Sequence, residues 1–185
     1  MPPLLRSVLD LEVFEAIERR RSVRAYDSRP VPDDVLMKVL ETGRIAPSAS
    51  NIQPWHFIVV KDPERRKALS DGKWAKFLTE SPVVIVGCGN KKRSPGWNVV
   101  DVTIAMQQMV IAATAEGLGT CWIGSFYENR VRKALKVPEG FGIVAMLAVG
   151  YTREKLDLTA KVAKSRNRKK MEEILSYEEF GESKS

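Results

Sequence analysis

The sequence predicts a domain of the α/β or α+β class, about four strands with helices on both sides. Three observations predict it. Pro82–Cys88 and Gly142–Tyr151 are apolar on both alternating faces, which marks strands buried in the middle of a sheet. Leu11–Arg20 and Pro32–Arg44 carry apolar residues at helical spacing. The connections between such segments are short and rich in Pro, Gly, Ser and Asn. This pattern leaves the strand order open.

Leu11–Arg20 is helical because residues 11, 13, 14 and 17 are apolar. Pro32-Asp33-Asp34 opens a second helix, with its acids in the first turn where the helix dipole favours them. That helix runs to about Arg44 and carries Val35, Leu36, Val39 and Leu40. Ala46–Pro54 is dense in turn formers and reads as an ordered loop. Trp55–Lys61 is a strand ended by Asp62-Pro63, followed by helices over Pro63–Leu69 and Lys73–Thr79. Asn98 is the expected N-cap and Gly117 the expected C-cap of a long helix, Val99–Glu116. That helix is apolar nearly all round, so it belongs in a core or at a subunit interface. Thr120–Ser125 reads as a short strand and Asn129–Leu135 as a helix. The tail from Thr152 is polar and basic up to Met171–Leu175, which is one helical turn or an extended anchor.

Composition narrows the function. The 185 residues are 44% hydrophobic and 29% charged, ordinary values for a single globular domain that needs no staples. Two cysteines, Cys88 and Cys121, exclude a disulfide framework and a cysteine-rich zinc site. One histidine, His56, argues against a histidine-rich metal centre; it sits in a strand beside Trp55 and Phe57, where a structural role outweighs a catalytic one. No uninterrupted apolar run is long enough to span a bilayer, and the N-terminus lacks the pattern of a signal peptide. A cytoplasmic protein is expected, with no membrane and no metal as partners.

The net charge of +7 raises nucleic acid, acidic membrane surfaces or an anionic small molecule as partners. The excess gathers in Arg19-Arg20-Arg21 with Arg24, in Lys91-Lys92-Arg93 and in Lys161–Lys170. Few aromatics interleave with these runs, which weakens a single-strand binding surface. Around Arg20-Arg21-Ser22-Val23-Arg24, a helix C-terminus accounts for part of the positive charge. Four arginines and a serine so close together also suit a phosphate clamp, in which guanidinium forks pair with phosphate oxygens. Pro47-Ser48-Ala49-Ser50-Asn51-Ile52-Gln53-Pro54 reads either as a self-satisfied turn or as a ligand loop held by the strand it enters. In Gly117-Leu-Gly119-Thr-Cys-Trp-Ile-Gly124 the glycines serve as caps and turns, or let backbone approach a flat ligand at Gly124. Neither this segment nor Gly87-Cys-Gly89 has the dinucleotide fingerprint, so no Rossmann site is expected. Tyr26 and Trp97 suit a pocket wall or the core equally.

Taken in order, four segments resemble the FMN-dependent nitroreductase family. They are Arg20–Tyr26, Ala46–Phe57, Gly117–Gly124, and a C-terminal arginine ahead of Met171-Glu-Glu-Ile. The resemblance covers roughly residues 12 to 182. It implies an α+β three-layer sandwich, a central mixed sheet flanked by helices, in an intertwined homodimer. The whole chain, 1–185, is then one domain, and about 152–185 forms an arm that reaches over the partner and extends its sheet. It implies FMN at the dimer interface. Arg20, Ser22 and Arg24, with Arg21, would hold the phosphate and the pyrimidine side. Pro47, Ser48, Ala49, Ser50 and Asn51 would contact the flavin from the other subunit, with Gln53 supporting the loop. Ile123 and Gly124 would present backbone to the ring. Counting back from Met171 favours Arg168 as the C-terminal phosphate arginine, while the local Lys164-Ser-Arg166 pattern favours Arg166. Lys73 stands near the place where larger members put an amide side chain beside the flavin. Between Gly89 and Trp97 only a brief basic loop replaces the helices that roof the pocket in larger members, so an open pocket is expected.

The implied activity is NAD(P)H oxidation by a ping-pong cycle, the flavin passing two electrons to nitroaromatic, quinone or similar acceptors. No nucleophile or catalytic histidine is needed. Two other readings stand beside it. One is a flavin-consuming or dehalogenating relative of the same fold. The other, of a different class, is a basic nucleic-acid-binding protein, which lacks any recognisable motif here.

Overall fold

The computed structural model describes residues 13–72, 74–153 and 168–181. The elements run α1 (Val13–Arg19), α2 (Asp33–Arg44), β1 (Trp55–Val60), α3 (Pro63–Leu69), β2 (Val83–Asn90), α4 (Asn98–Ala115), β3 (Gly119–Ile123), α5 (Glu128–Leu135) and β4 (Phe141–Gly150). Short 3₁₀ turns lie at Ala49–Asn51, Lys76–Thr79 and Met171–Glu173.

The sheet order is β1-β2-β4-β3, and every neighbouring pair is antiparallel. Its mixed character, expected above, is confined to one parallel bridge, Ser22 to Thr120, on the outer edge of β3. The two fully apolar segments are the two central strands, β2 and β4. Val84, for example, lies between Val60 on β1 and Ala148 on β4. A strand paired on both sides and covered on both faces has no room for a polar alternation.

Alternate residues of β2 serve opposite faces. Val83 and Ile85 pack with Met106, Met109 and Val39 under α2 and α4. Val84, Val86 and Cys88 pack with Leu69, Leu78 and Val131 under α3 and α5. Helices, sheet and helices thus make three layers.

The ends of α4 correct one expectation and refine another. Asn98 is not the N-cap: Trp97 holds that position and Asn98 is the first helical residue. Its amide instead donates to the carbonyl oxygens of Ser94 (2.7 Å) and Pro95 (3.3 Å), so it tethers the preceding turn. At the other end Glu116 is the C-cap and Gly117 lies one residue beyond, at φ +75°. The Leu118 N–H reaches the Ala113 oxygen (2.8 Å) and the Gly117 N–H reaches Thr114 (3.0 Å), which is the Schellman pattern. Along α4, Val102, Met106 and Met109 are buried while Val99, Val100 and Ile104 are exposed.

At the start of α3, Pro63 occupies the first turn and the Asp62 carboxylate accepts the Arg65 N–H at 2.9 Å. Asp62→Ala is expected to cost about 1 kcal/mol, the usual value of such a cap. Thermal unfolding checks it, with a fall in Tm of roughly 2–4 °C for a domain of this size.

Candidate functional site

The chain leaves α1 and runs extended along the free edge of β3. The Val23 N–H donates to the Thr120 oxygen at 2.8 Å, and Ser22 forms the bridge to Thr120. Val23 is buried, so its neighbours Ser22 and Arg24 face outward, and both are exposed. Two details hold this strip in place. A Cβ on Gly119 would lie 2.7 Å from Val23 Cγ2 and 2.6 Å from Thr152 Oγ1, so only glycine lets the strip sit against β3. The Tyr26 hydroxyl, buried in the core, donates to the Val23 oxygen at 2.7 Å. Arg20 and Arg21 line a cavity of about 200 Å³ together with Gly117, Leu118, Gly119 and Thr152. Among the described residues no carboxylate pairs with Arg20, Arg21 or Arg24. Guanidinium groups with no carboxylate partner among the described residues form a cationic surface suited to a phosphate.

The second group is the loop before β1. Ser48 Oγ accepts the Gln53 N–H at 2.9 Å, and the Gln53 amide donates to Asn51 Oδ1 at 3.0 Å. The Ala49 N–H donates to Asp101 Oδ1 at 3.0 Å, and the Pro54 oxygen accepts the Asn90 N–H at 2.8 Å. Ser50, Asn51 and Gln53 have φ of 48°, 55° and 52°. Each such non-glycine residue costs about 1–2 kcal/mol, which these hydrogen bonds must offset. The loop is therefore built rather than slack, and Gln53 is its internal brace.

The third piece is the end of β3. Ile123 is buried, Gly124 is exposed, and a Cβ on Gly124 would meet nothing within 4 Å among the described residues. The space in front of its backbone is open. Arg168 is exposed, as is the whole of 168–181, including Met171, Ile174 and Phe180. Arg166 and Lys73 lie outside the described residues.

The expected site residues therefore fall into separate groups. The loop is tied to the first turn of α4 through Asp101. The arginine strip borders the far end of α4, beside Thr114 and Gly117. An α-helix of 18 residues spans about 27 Å. One chain does not bring the two groups together.

Sequence reasoning missed Asp101 and Gly119. Asp101 is 1% exposed, and its only signal in the sequence is a lone acid in a helix that is apolar nearly all round. Trp97 is exposed, and His56 is exposed on edge strand β1, its ring edge-on to Phe141 at 6.0 Å, rather than packed inside. Cys88 and Cys121 are buried, and burial pushes the Cys88 thiol up to about 11, which leaves it inert near neutral pH. Among the described residues no group of three potential ligands gathers for a metal, and no helix is long and apolar enough to cross a membrane.

Residues 17–83 and 68–151 match the Nitroreductase family. A Thermus thermophilus protein named NADH dehydrogenase is 29% identical over 181 residues, covering 78% of this chain and 88% of that one. A nitroreductase family protein from Clostridium novyi superposes with a TM-score of 0.75 at 30% identity, covering 94% of this chain and 97% of the other. An FMN-dependent nitroreductase from Clostridium difficile gives 0.69 at 27% identity, covering 84% and 98%.

Proposed function

The chain belongs to the nitroreductase family, and from that premise we propose that it is an FMN-dependent oxidoreductase working as a homodimer. It takes a hydride from NADH or NADPH and passes two electrons to a nitroaromatic, quinone or similar acceptor in a ping-pong cycle. The observation that carries this reading is the placement of the arginine strip and the Pro47–Gln53 loop at opposite ends of α4. Two chains whose α4 helices run antiparallel about a two-fold axis bring the strip of one against the loop of the other.

The outer face of α4 supports that pairing. A groove of about 700 Å³ runs between α1, α2 and α4, lined by Val13, Ile17, Ile45, Ile104 and Ile111. An apolar surface of this kind is the usual mark of an interface. The exposed apolar residues of 168–181 are the natural cover for a partner, whose sheet offers the edge of β1 that no described strand pairs.

When bound, FMN supplies the redox chemistry; the chain supplies position, charge and shelter. Arg20, Ser22 and Arg24, with Arg21, hold the phosphate and the pyrimidine side, assisted by Arg168 or Arg166. The partner's loop contributes Pro47, Ser48, Ala49, Ser50 and Asn51, with Gln53 bracing it. Ile123 and Gly124 offer backbone, and the open space beside Gly124 is where a flat ring fits without a Cβ in its way. The strip fits an anion because its guanidinium groups are free of carboxylates among the described residues.

The test is direct. The purified protein is expected to be yellow, or to become so with added FMN. Its flavin absorbance should bleach under NADH or NADPH without oxygen and return on adding a quinone or nitroaromatic. A protein that takes up no FMN overturns the reading, and a salt-sensitive DNA complex would then favour the basic nucleic-acid-binding one. Bleaching without turnover on either acceptor would favour a flavin-consuming or dehalogenating reaction.

A further inference from the structure

We propose that Asp101 is a positioning residue, the buried anchor that sets the Pro47–Gln53 loop in its working shape before any ligand arrives. The assignment rests on the FMN reading for its consequence and on the chain's own hydrogen bonds for its geometry. Asp101 is 1% exposed in the first turn of α4, a position where the helix dipole favours negative charge. Its Oδ1 accepts the Ala49 N–H at 3.0 Å, and its Oδ2 accepts the Ser94 hydroxyl at 3.4 Å. One carboxylate thereby joins the helix, the loop and the turn that precedes α4.

A carboxylate buried away from water is costly unless its oxygens are used. Packing alone would be served by valine or leucine. Among the described residues no cation pairs with Asp101, so its recorded partners are the loop amide and the serine. Ala49 is the residue before Ser50 and Asn51, both in the left-handed region. Fixing the Ala49 N–H fixes the entry to the strained segment. The internal braces, Ser48 to Gln53 and Gln53 to Asn51, keep the loop's shape but do not place it on the body of the protein. Asp101 does. A loop ordered in advance spares flavin binding the entropy of ordering it.

The experiment compares wild type, Asp101→Ala and Asp101→Asn as full-length chains stripped of flavin. Asparagine keeps a carbonyl oxygen for the Ala49 N–H, and its amide group can donate to Ser94 Oγ. Two measurements are made: amide exchange across 47–53 against β2 and β4, and titration with FMN. In Asp101→Ala the loop amides should exchange at least about tenfold faster, with β2 and β4 unchanged, and the Kd for FMN should rise about tenfold or more. Asp101→Asn should stay within about threefold of wild type in both. Unchanged loop exchange in Asp101→Ala overturns the proposal. So does an Asn variant as impaired as the Ala variant, or sheet amides that loosen in step with the loop. If Asp101→Ala does not fold, the wild-type Ala49 amide decides: protection supports the anchor, and exchange at the rate of an unstructured peptide overturns it. A wild type that binds no FMN would instead sink the flavin reading, while the exchange data would still report on Asp101.

Discussion

Replacing Ile104 with glutamate is expected to give a folded monomer that no longer retains FMN. Ile104 is 38% exposed on the outer face of α4 and lines the groove between α1, α2 and α4. Because the side chain is on the surface of the single chain, glutamate disturbs little inside it, and glutamate is a good helix former. In a two-fold dimer each substitution is felt twice. Two carboxylates then enter an apolar interface without partners, at an effective cost of several kcal/mol each. If the flavin site is shared, loss of the dimer removes the loop from every strip. FMN affinity should then fall by at least about 100-fold, a loss of roughly 2.7 kcal/mol or more. Light scattering and the flavin-to-chain ratio measure the two effects together. A variant that stays dimeric would take the interface off this face. A monomer that keeps its flavin would mean that one chain holds FMN alone.

How far such a prediction was legible in the sequence differs from element to element. Central strands β2 and β4 were legible because burial on both faces leaves an unbroken apolar run. Their adjacency was not, since backbone ladders carry no side-chain signature. The bounds of α2 followed from Pro32 and the acidic first turn. Asn98 misled because an amide can donate as well as accept: its side chain turns to the carbonyls of Ser94 and Pro95 instead of capping the helix.

The arginine strip was legible as a concentrated positive charge, because so many guanidinium groups in one short segment exceed what a helix end needs. Its place was not. That depends on Gly119 admitting Val23 against β3, a contact between residues distant in sequence. Asp101 was hidden for a similar reason. An acid in a helix ordinarily marks the solvent side, and only the return of the loop to α4 turns this one inward. Exposed His56 shows the converse: its place beside Trp55 and Phe57 does not tell that β1 lies at an edge, with no described strand pairing beyond it.

The arginines should separate by function when removed one at a time. Arg20→Ala and Arg24→Ala are each expected to weaken FMN binding by roughly 10- to 100-fold, because a hydrogen bond to a charged group is worth about 1.5–3 kcal/mol. Exposure argues for the lower part of that range at Arg24, and raised salt should narrow the gap to wild type. Only Arg24→Ala should also change the flavin potential. If Arg20 holds the phosphate, whose charge is the same in both redox states, its loss leaves the potential where it was. If Arg24 lies at the pyrimidine side, where negative charge grows on reduction, its cation favours the reduced form. A differential loss of about 1.4 kcal/mol lowers a two-electron potential by about 30 mV, a shift that potentiometric titration resolves. Arg24→Lys keeps the charge but loses the planar fork, so it should restore most of the potential and less of the affinity. An unchanged potential in Arg24→Ala would remove Arg24 from this role. Unchanged affinity in both alanine variants would mean that the phosphate lies elsewhere, and the strip would then be only a solvated edge of β3.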